Sequence, residues 1–299
     1  MDKKRKQLDY MVFINIFFIL FSAAFILPFI LIISISLTSE ATLAQFGYSL
    51  LPKQIDFTAY KYIFSNAEQI LTSYKVTTFF ALFGTLASLF VMTLVAYPLS
   101  REYFPFRKQI TFFIFFSTLF SGGLIPSYIL NTQYLGLGNT ILVYIIPQLA
   151  TAWYIIIIRT FMQDLPQALV ESAKLDGATE FKILFHIIIP ISKPVLATIA
   201  LFTLLAKWND WNTALIYIKS TNLYSLQYLL QRILREAEFV RKVATDNIPA
   251  GMDLKVISEV PLETLKFALC IVVAGPMLLV FPIFQKYFAK GLTIGAVKG

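Results

Sequence analysis

Apolar residues fall into six long runs along this chain, and the polar residues between them form short, separable connections. A helix needs roughly 20 mostly apolar residues to cross a bilayer. That length picks out Met11–Leu37, Tyr74–Leu99, Ile110–Leu130, Thr140–Phe161, Pro194–Ile218 and Leu265–Tyr287 as candidate spans. The pattern predicts an all-α polytopic membrane protein with about six transmembrane helices. Lys3, Lys4, Arg5 and Lys6 precede the first run, as in a signal peptide. The run far exceeds the roughly 7–15 residues of a signal segment and no A-x-A site follows it, so it reads as a retained span.

Lysine and arginine gather on alternate connections. One side carries Lys3–Lys6, then Arg101, Arg107 and Lys108, then Arg159, Lys174, Lys182 and Lys193, then Lys286, Lys290 and Lys298. The short segments opposite carry Lys53, Lys61 and Lys75, and the 131–139 connection carries none. Basic connections stay in the cytoplasm, so both termini are expected there. The expected organisation is a cytoplasmic N-terminus (1–10), a first span with an outer segment (11–73), a main transmembrane domain (74–290) and a cytoplasmic tail (291–299). The main domain holds an inner polar loop at 162–193 and a long outer loop at 219–264. Within the outer loop Leu226, Leu229, Leu230, Ile233 and Leu234 recur at helical spacing. They predict an amphipathic helix over Leu226–Val243, lying on the membrane, on a partner or on the protein's own outer face.

Composition narrows the function classes. The chain is 58% hydrophobic and 14% charged, against about 25% charged in soluble domains. Its net charge of +8 fits basic inner connections better than nucleic-acid binding. Cys270 is the one cysteine and excludes an intrachain disulfide; His186 is the one histidine and excludes a multi-histidine metal site. No G-x-x-x-x-G-K-[ST] is present, so the chain carries no P-loop of its own.

Two polar interruptions stand out. The first is E-S-A-K-L-D-G-A, Glu171 to Ala178, in the inner loop. Asp164-Leu165-Pro166 predicts a helix start with an aspartate cap. Gly177 predicts its end, since glycine accepts a left-handed conformation. Thr179 predicts the cap of a second helix over Phe181–Ile189, broken at Pro190 and Pro194. The small Ala173, one turn before Gly177, would let another protein approach closely; an ordinary amphipathic cytoplasmic loop fits the spacing equally well. The second interruption is Lys207-Trp208-Asn209-Asp210-Trp211-Asn212, within or near the outer half of the fifth run. Charges inside a bilayer cost roughly 2.5–3.5 kcal/mol and face a bundle interior or water. Tryptophan beside amide and carboxylate groups suits a sugar, with one apolar face and a rim of hydroxyls; an interfacial aromatic belt with interhelical hydrogen bonds accounts for the residues equally well. Tyr128 and Asn131, at the outer end of the third run, are candidates of the same kind.

The run from Glu171 to Pro190 resembles the "EAA" signature of permeases in binding-protein-dependent ABC importers, with Ser172 and Ile189 as departures. Ala96-Tyr97-Pro98-Leu99-Ser100-Arg101 resembles the A-Y-P-L-S-R of MalG-type sugar permeases. Phe120 to Pro126, Leu135-Gly136-Leu137, Trp208 to Trp211 and Gln285 to Gly299 resemble the LplC/YtcP-like branch of that group. The resemblance covers most of the chain from Tyr74 onward. It implies the type I importer transmembrane fold in a bacterial plasma membrane, as half of a heterodimer with a second permease subunit. It also implies two cytoplasmic ATPase subunits that bind ATP and Mg, an extracellular sugar-binding protein and an oligosaccharide substrate, with no cofactor in this chain. Glu171, Ser172, Ala173, Leu175, Asp176, Gly177 and Phe181 would then form the helix docked on the ATPase. Trp208, Asn209, Asp210, Trp211, Asn212, Tyr128 and Asn131 would line part of the sugar path. The alternative, a secondary transporter or channel for a polar solute, would need coupling-ion or selectivity residues. Asp210 is the main candidate for such a role, and the Glu171 insert would be left without one.

Overall fold

The computed structural model describes residues 2–65, 67–246 and 261–295. Among them the regular structure is helical and the connections are turns and loops, with an isolated antiparallel bridge between Thr38 and Ile55. Among the described residues three helices are long and apolar enough to cross a membrane, or up to six if each bent pair is one span. The all-α expectation holds, and the spans take two forms.

The first, second and last runs are continuous helices: α1 (Asp2–Ser36), α4 (Ala67–Ser100) and the last helix, α14 (Leu262–Gly295). The others are broken at a glycine or a proline. In the third run α5 (Arg107–Leu119) and α6 (Leu124–Ile129), extended by a π-helical turn to Tyr134, meet at 114°. Gly123 makes that corner at φ +85, a conformation that glycine alone adopts at little cost. In the fourth run two 3-10 turns, Ile141–Tyr144 and Ile146–Gln148, precede α7 (Ala152–Gln163) across a bend of 48°. Pro147 has no N–H to carry an α-helical ladder through that point. The fifth run is α11 (Lys193–Trp208) followed by α12 (Asn212–Tyr217).

The residues form two compact units, Met1–Ala67 with Arg232–Gly275, and Glu68–Gln231 with Pro276–Gly299. In the first unit every α1 side chain from Met11 to Ile30 is exposed. Two short helices follow, α2 (Glu40–Phe46) and α3 (Thr58–Ser65). Ser39 caps α2 by accepting from the Thr42 N–H at 3.3 Å. The Glu40 carboxylate accepts from the N–H groups of Glu263 and Thr264 at 3.0 and 3.1 Å, where the helix dipole favours a negative charge.

The second unit is organised around α4, which touches two cores. Met92, Ala96, Tyr97 and Leu99 pack with Ile158 and Met162 of α7 and with Ile183 and Ile188. About three turns of helix separate Met92 from Phe80, which stacks on Tyr144 at 4.3 Å beside Val143, Ala214 and Ile218. Between the two, Ala81, Gly84, Thr85 and Ser88 are buried. Small residues on one helix face permit close approach in lipid, and here the Lys207 side chain lies against Gly84. The expected amphipathic helix is present as α13 (Leu226–Asp246). Its Leu226, Leu229 and Leu230 are buried, and the Leu226 N–H donates to Thr77 Oγ1 at 2.8 Å. The first turns therefore pack on the protein itself.

Candidate functional site

The polar loop after α7 folds as a tight elbow. α8 (Gln167–Leu175) begins after Pro166, whose ψ of 124 is extended, and no side chain caps it. The expected Asp164 cap is not formed: Asp164 closes α7 instead, its N–H donating to Thr160 O. Proline needs no N–H partner, so Pro166 can stand at the helix entry unaided. At the other end Gly177 adopts φ +76. The Ala178 N–H donates to Ala173 O at 2.9 Å and the Gly177 N–H to Lys174 O at 3.0 Å. These are the paired bonds of a Schellman stop, which needs the left-handed residue that Gly177 supplies. Thr179 then caps α9 (Glu180–Ile183), accepting from the Lys182 N–H at 3.4 Å.

Beyond α9 the helix continues as a π turn, Leu184–Ile188, and as α10 (Ile189–Ile191) before turning 79° into α11. Pro190 and Pro194 cannot donate to the preceding turns, which localises the corner between them.

The elbow is fixed to α4 through Glu180. Its Oε2 accepts from Tyr97 Oη at 2.6 Å, and its Oε1 accepts from Tyr103 Oη at 2.8 Å and from Lys174 Nζ at 2.8 Å. Lys174 Nζ also lies 3.7 Å from the centre of the Tyr103 ring. Burial pushes the Glu180 carboxyl up, but the donors from Lys174, Tyr97 and Tyr103 outweigh it and hold the group below its ordinary value. Lys174 is raised, chiefly by its bond to Glu180 and then by Tyr103. Sequence reasoning missed this latch because Tyr97 and Glu180 lie 83 residues apart. Only the alternation of Lys174 and Glu180 across the glycine turn hinted at it.

The seven loop residues divide. Glu171, Ser172, Asp176 and Gly177 are exposed, Leu175 is 90% exposed and Phe181 70%. Ala173 instead faces the protein's own core with Val170, so its small size serves packing of α8 and not the outer surface. The spacing of Val170 and Ala173, three residues apart on one helix face, carried that signal.

The second interruption ends α11. The Asp210 carboxylate accepts from Gln148 Nε2 at 2.9 Å, from Thr213 Oγ1 at 2.6 Å and from the Thr213 N–H at 3.0 Å, which secures the start of α12. The Asp210 carbonyl accepts from Ser225 Oγ at 2.9 Å. Lys207 is fully buried, with Nζ 3.5 Å from Gln148 Oε1. Trp208 is buried and its ring lies 6.4 Å from that of Tyr74. Trp211 is half-buried, while Asn209 and Asn212 are exposed. Asn209 Oδ1 accepts from Gln227 Nε2 at 2.9 Å. Tyr128 stacks on Tyr217 at 5.8 Å, and the buried Asn131 donates to Tyr217 Oη at 3.2 Å. Asn139, which sequence reasoning passed over, joins the connection after α6 to the end of α12: its Oδ1 accepts from the N–H groups of Lys219 and Ser220, both at 2.9 Å.

Apolar spans broken at glycine and proline around polar clusters, with a polar elbow at one end, define a transmembrane subunit of a transporter. No family model matches the chain. It is 38% identical over 274 residues to Protein LplC of Bacillus subtilis (strain 168), covering 92% of this chain and 90% of LplC. It is 35% identical over 284 residues to the polygalacturonan/rhamnogalacturonan transport system permease protein YtcP of the same organism, covering 95% of this chain and 96% of YtcP. Among solved structures it matches a chain of a bacterial ABC transporter involved in import of the acidic polysaccharide alginate, with a TM-score of 0.77, 29% identity and coverage of 95% and 98%. The chain belongs to the family of carbohydrate ABC transporter permeases, and it is a permease subunit of a carbohydrate importer.

Proposed function

We infer that this permease carries acidic oligosaccharides, of the kind that contain uronic acids, and forms one half of their translocation pathway. The observation behind this reading is that its full-length likeness runs both to a polygalacturonan/rhamnogalacturonan permease and to an importer of alginate. The chain works beside a second permease subunit in a bacterial plasma membrane, with both termini cytoplasmic. Two cytoplasmic ATPase subunits bind ATP and Mg, and an extracellular binding protein delivers the sugar.

Coupling runs through the elbow. Leu175 and Phe181, the exposed apolar residues, enter a groove of the ATPase, while Glu171, Ser172 and Asp176 meet its polar groups. When the ATPase dimer closes, α8 and α9 move as one body, because the Schellman stop fixes their angle and the Glu180 latch ties them to α4. On the outer side Asn209, Trp211, Asn212 and Tyr128 face the sugar. Trp208, Asp210 and Asn131 hold them in place.

The test is uptake by the assembled transporter, with its binding protein, of oligogalacturonides and of neutral oligosaccharides of equal length. Uptake of the acidic set with matching stimulation of ATP hydrolysis is expected; preference for the neutral set would overturn the substrate class. Leu175→Asp should abolish stimulation while the complex still binds sugar-loaded binding protein. Normal stimulation in that variant would remove the elbow from the coupling path.

A further inference from the structure

Arg101 is a charge that neither the fold nor the elbow uses up. It follows the last residue of α4, is only 5% exposed, and its Nε and Nη2 are buried with no hydrogen-bond partner among the described residues. Its guanidinium carbon lies 4.9 Å from the centre of the Tyr97 ring. A ring face attracts the charge, but it leaves the N–H donors on Nε and Nη2 without acceptors. Arginine does not shed its proton in proteins, and a charge withdrawn from water is costly until an acceptor is supplied.

Two hollows meet at Arg101. One, of about 250 Å³, is bounded by Glu102, Gln163, Gln167, Glu171 and Lys174 and already contains two carboxylates. The other, of about 440 Å³, is walled by Leu94, Tyr97, Phe104, Phe181 and Leu184, with Glu180 at its edge. That volume suits a small ligand, since such sites run from roughly 300 to 1,000 Å³. Glu180 is engaged by Lys174 and two tyrosine hydroxyls, so its charge is offset there. Leu94 lies about two helical turns into the span from Arg101. The second hollow thus joins a cation at the end of a span to an apolar wall that runs back into it.

We propose that this cleft is a binding site for an anionic phospholipid, with the phosphate on the Arg101 guanidinium and an acyl chain along Leu94, Phe104 and Leu184. Basic pockets between transmembrane helices favour such headgroups. The bound lipid would bridge the end of α4 and the start of α9 beside the Glu180 latch. The site does not depend on which sugar is carried, and its test is scored on lipid and not on transport.

The experiment uses the assembled transporter in nanodiscs of phosphatidylcholine and phosphatidylglycerol, with lipid retained after transfer to detergent counted by native mass spectrometry. Wild type is expected to keep phosphatidylglycerol in preference to phosphatidylcholine. Arg101→Gln should lower that retention by about fivefold, the factor for one cation at a membrane surface. Leu94→Trp, which fills the apolar wall and leaves the charge, should lower it as well. Equal retention of the two lipids by wild type would overturn the proposal. A fall in Arg101→Gln without a fall in Leu94→Trp would also overturn it, in favour of a headgroup contact whose acyl chain lies outside the cleft. Loss of the ATPase subunits from Arg101→Gln with lipid retention unchanged would overturn it in favour of an ATPase carboxylate.

Discussion

The elbow at Glu171–Phe181 and the break at Trp208–Asn212 are both polar interruptions of an apolar chain, and they distribute their polar groups in opposite ways. In the elbow, one carboxylate, Glu180, collects the donors that hold the loop to α4, and Glu171, Asp176, Leu175 and Phe181 are left exposed. In the break, the carboxylate itself is the hub: Asp210 takes Gln148 and Thr213, and Trp208 is packed away. A polar residue in an apolar segment must first be satisfied. Surplus capacity after that marks a surface built to meet something else. By this criterion the elbow keeps exposed groups for the coupling proposed above, whereas the break carries its outward amides on a frame whose other polar groups are already engaged.

The contrast can be broken most forcefully at Asp210. Asp210→Ala removes the acceptor of the buried Thr213 hydroxyl and of the Thr213 N–H, at about 1–3 kcal/mol for each group left buried without a partner, while Gln148 Nε2 keeps its second bond to Thr213 Oγ1 at 3.3 Å. The expected outcome is a marked loss of assembled complex, measured by size-exclusion chromatography, with sugar preference per surviving complex unchanged. A normal yield of complex with altered preference would make Asp210 a sugar ligand and dissolve the contrast. Asn212→Ala should do the reverse: full assembly, and a shifted preference between two oligosaccharides.

At the elbow the corresponding change is Gly177→Val. A Cβ built on Gly177 meets nothing within 4 Å in this chain, so the damage comes from the backbone at φ +76 and not from a clash. The left-handed conformation costs an L-residue roughly 1–2 kcal/mol, enough for about a tenfold loss of the docked geometry. Uptake per complex should fall accordingly while insertion persists. Gly177→Asn should fall less, because asparagine tolerates that conformation. Equal loss in both variants would point to a partner pressed against residue 177, and equal retention would remove the elbow's angle from coupling.

Much of this was visible in the residues. Six apolar runs gave the spans because hydropathy over a span-length window measures composition, and membrane insertion depends on composition. The same window is blind to continuity of the backbone ladder, so the corners at Gly123 and Pro147 did not register, whereas the break at Pro190 and Pro194 was read from the prolines themselves. The Gly177 stop and the Thr179 cap were legible because both are settled within a few residues. Asp164 was misplaced because an aspartate two residues before a proline helix entry can equally close the helix before it. The Glu180 latch and the Asp210 hub were not legible, since their partners come from α4 and from the turn at Gln148, far away in sequence. Ala173 shows the intermediate case: its type was noticed, and its facing followed only from helical phase with Val170.

The smallest effects test how the latch is held. Tyr97→Phe removes the 2.6 Å bond to Glu180 Oε2 and leaves Tyr103 and Lys174 in place. A net hydrogen bond is worth about 1 kcal/mol, and less here because the carboxylate is half-exposed. Coupling should weaken by no more than a few-fold, seen as ATP hydrolysis that proceeds without uptake. The pH dependence is sharper than the size. Glu180 is held below its ordinary value of 4.5, so its contribution is present above that pH and is lost only as the pH falls through the lower folded value. Lys174 is raised above 10.5, so its contribution is complete below that pH and is lost only as the pH rises through the higher one. Between about pH 5 and pH 10 both groups are charged and the latch is constant. The ratio of wild-type to Glu180→Gln coupling should therefore be flat from about pH 6 to pH 9. A ratio that changes steeply in that window would mean that another titrating group, and not the Lys174–Glu180 pair, fixes the elbow to α4.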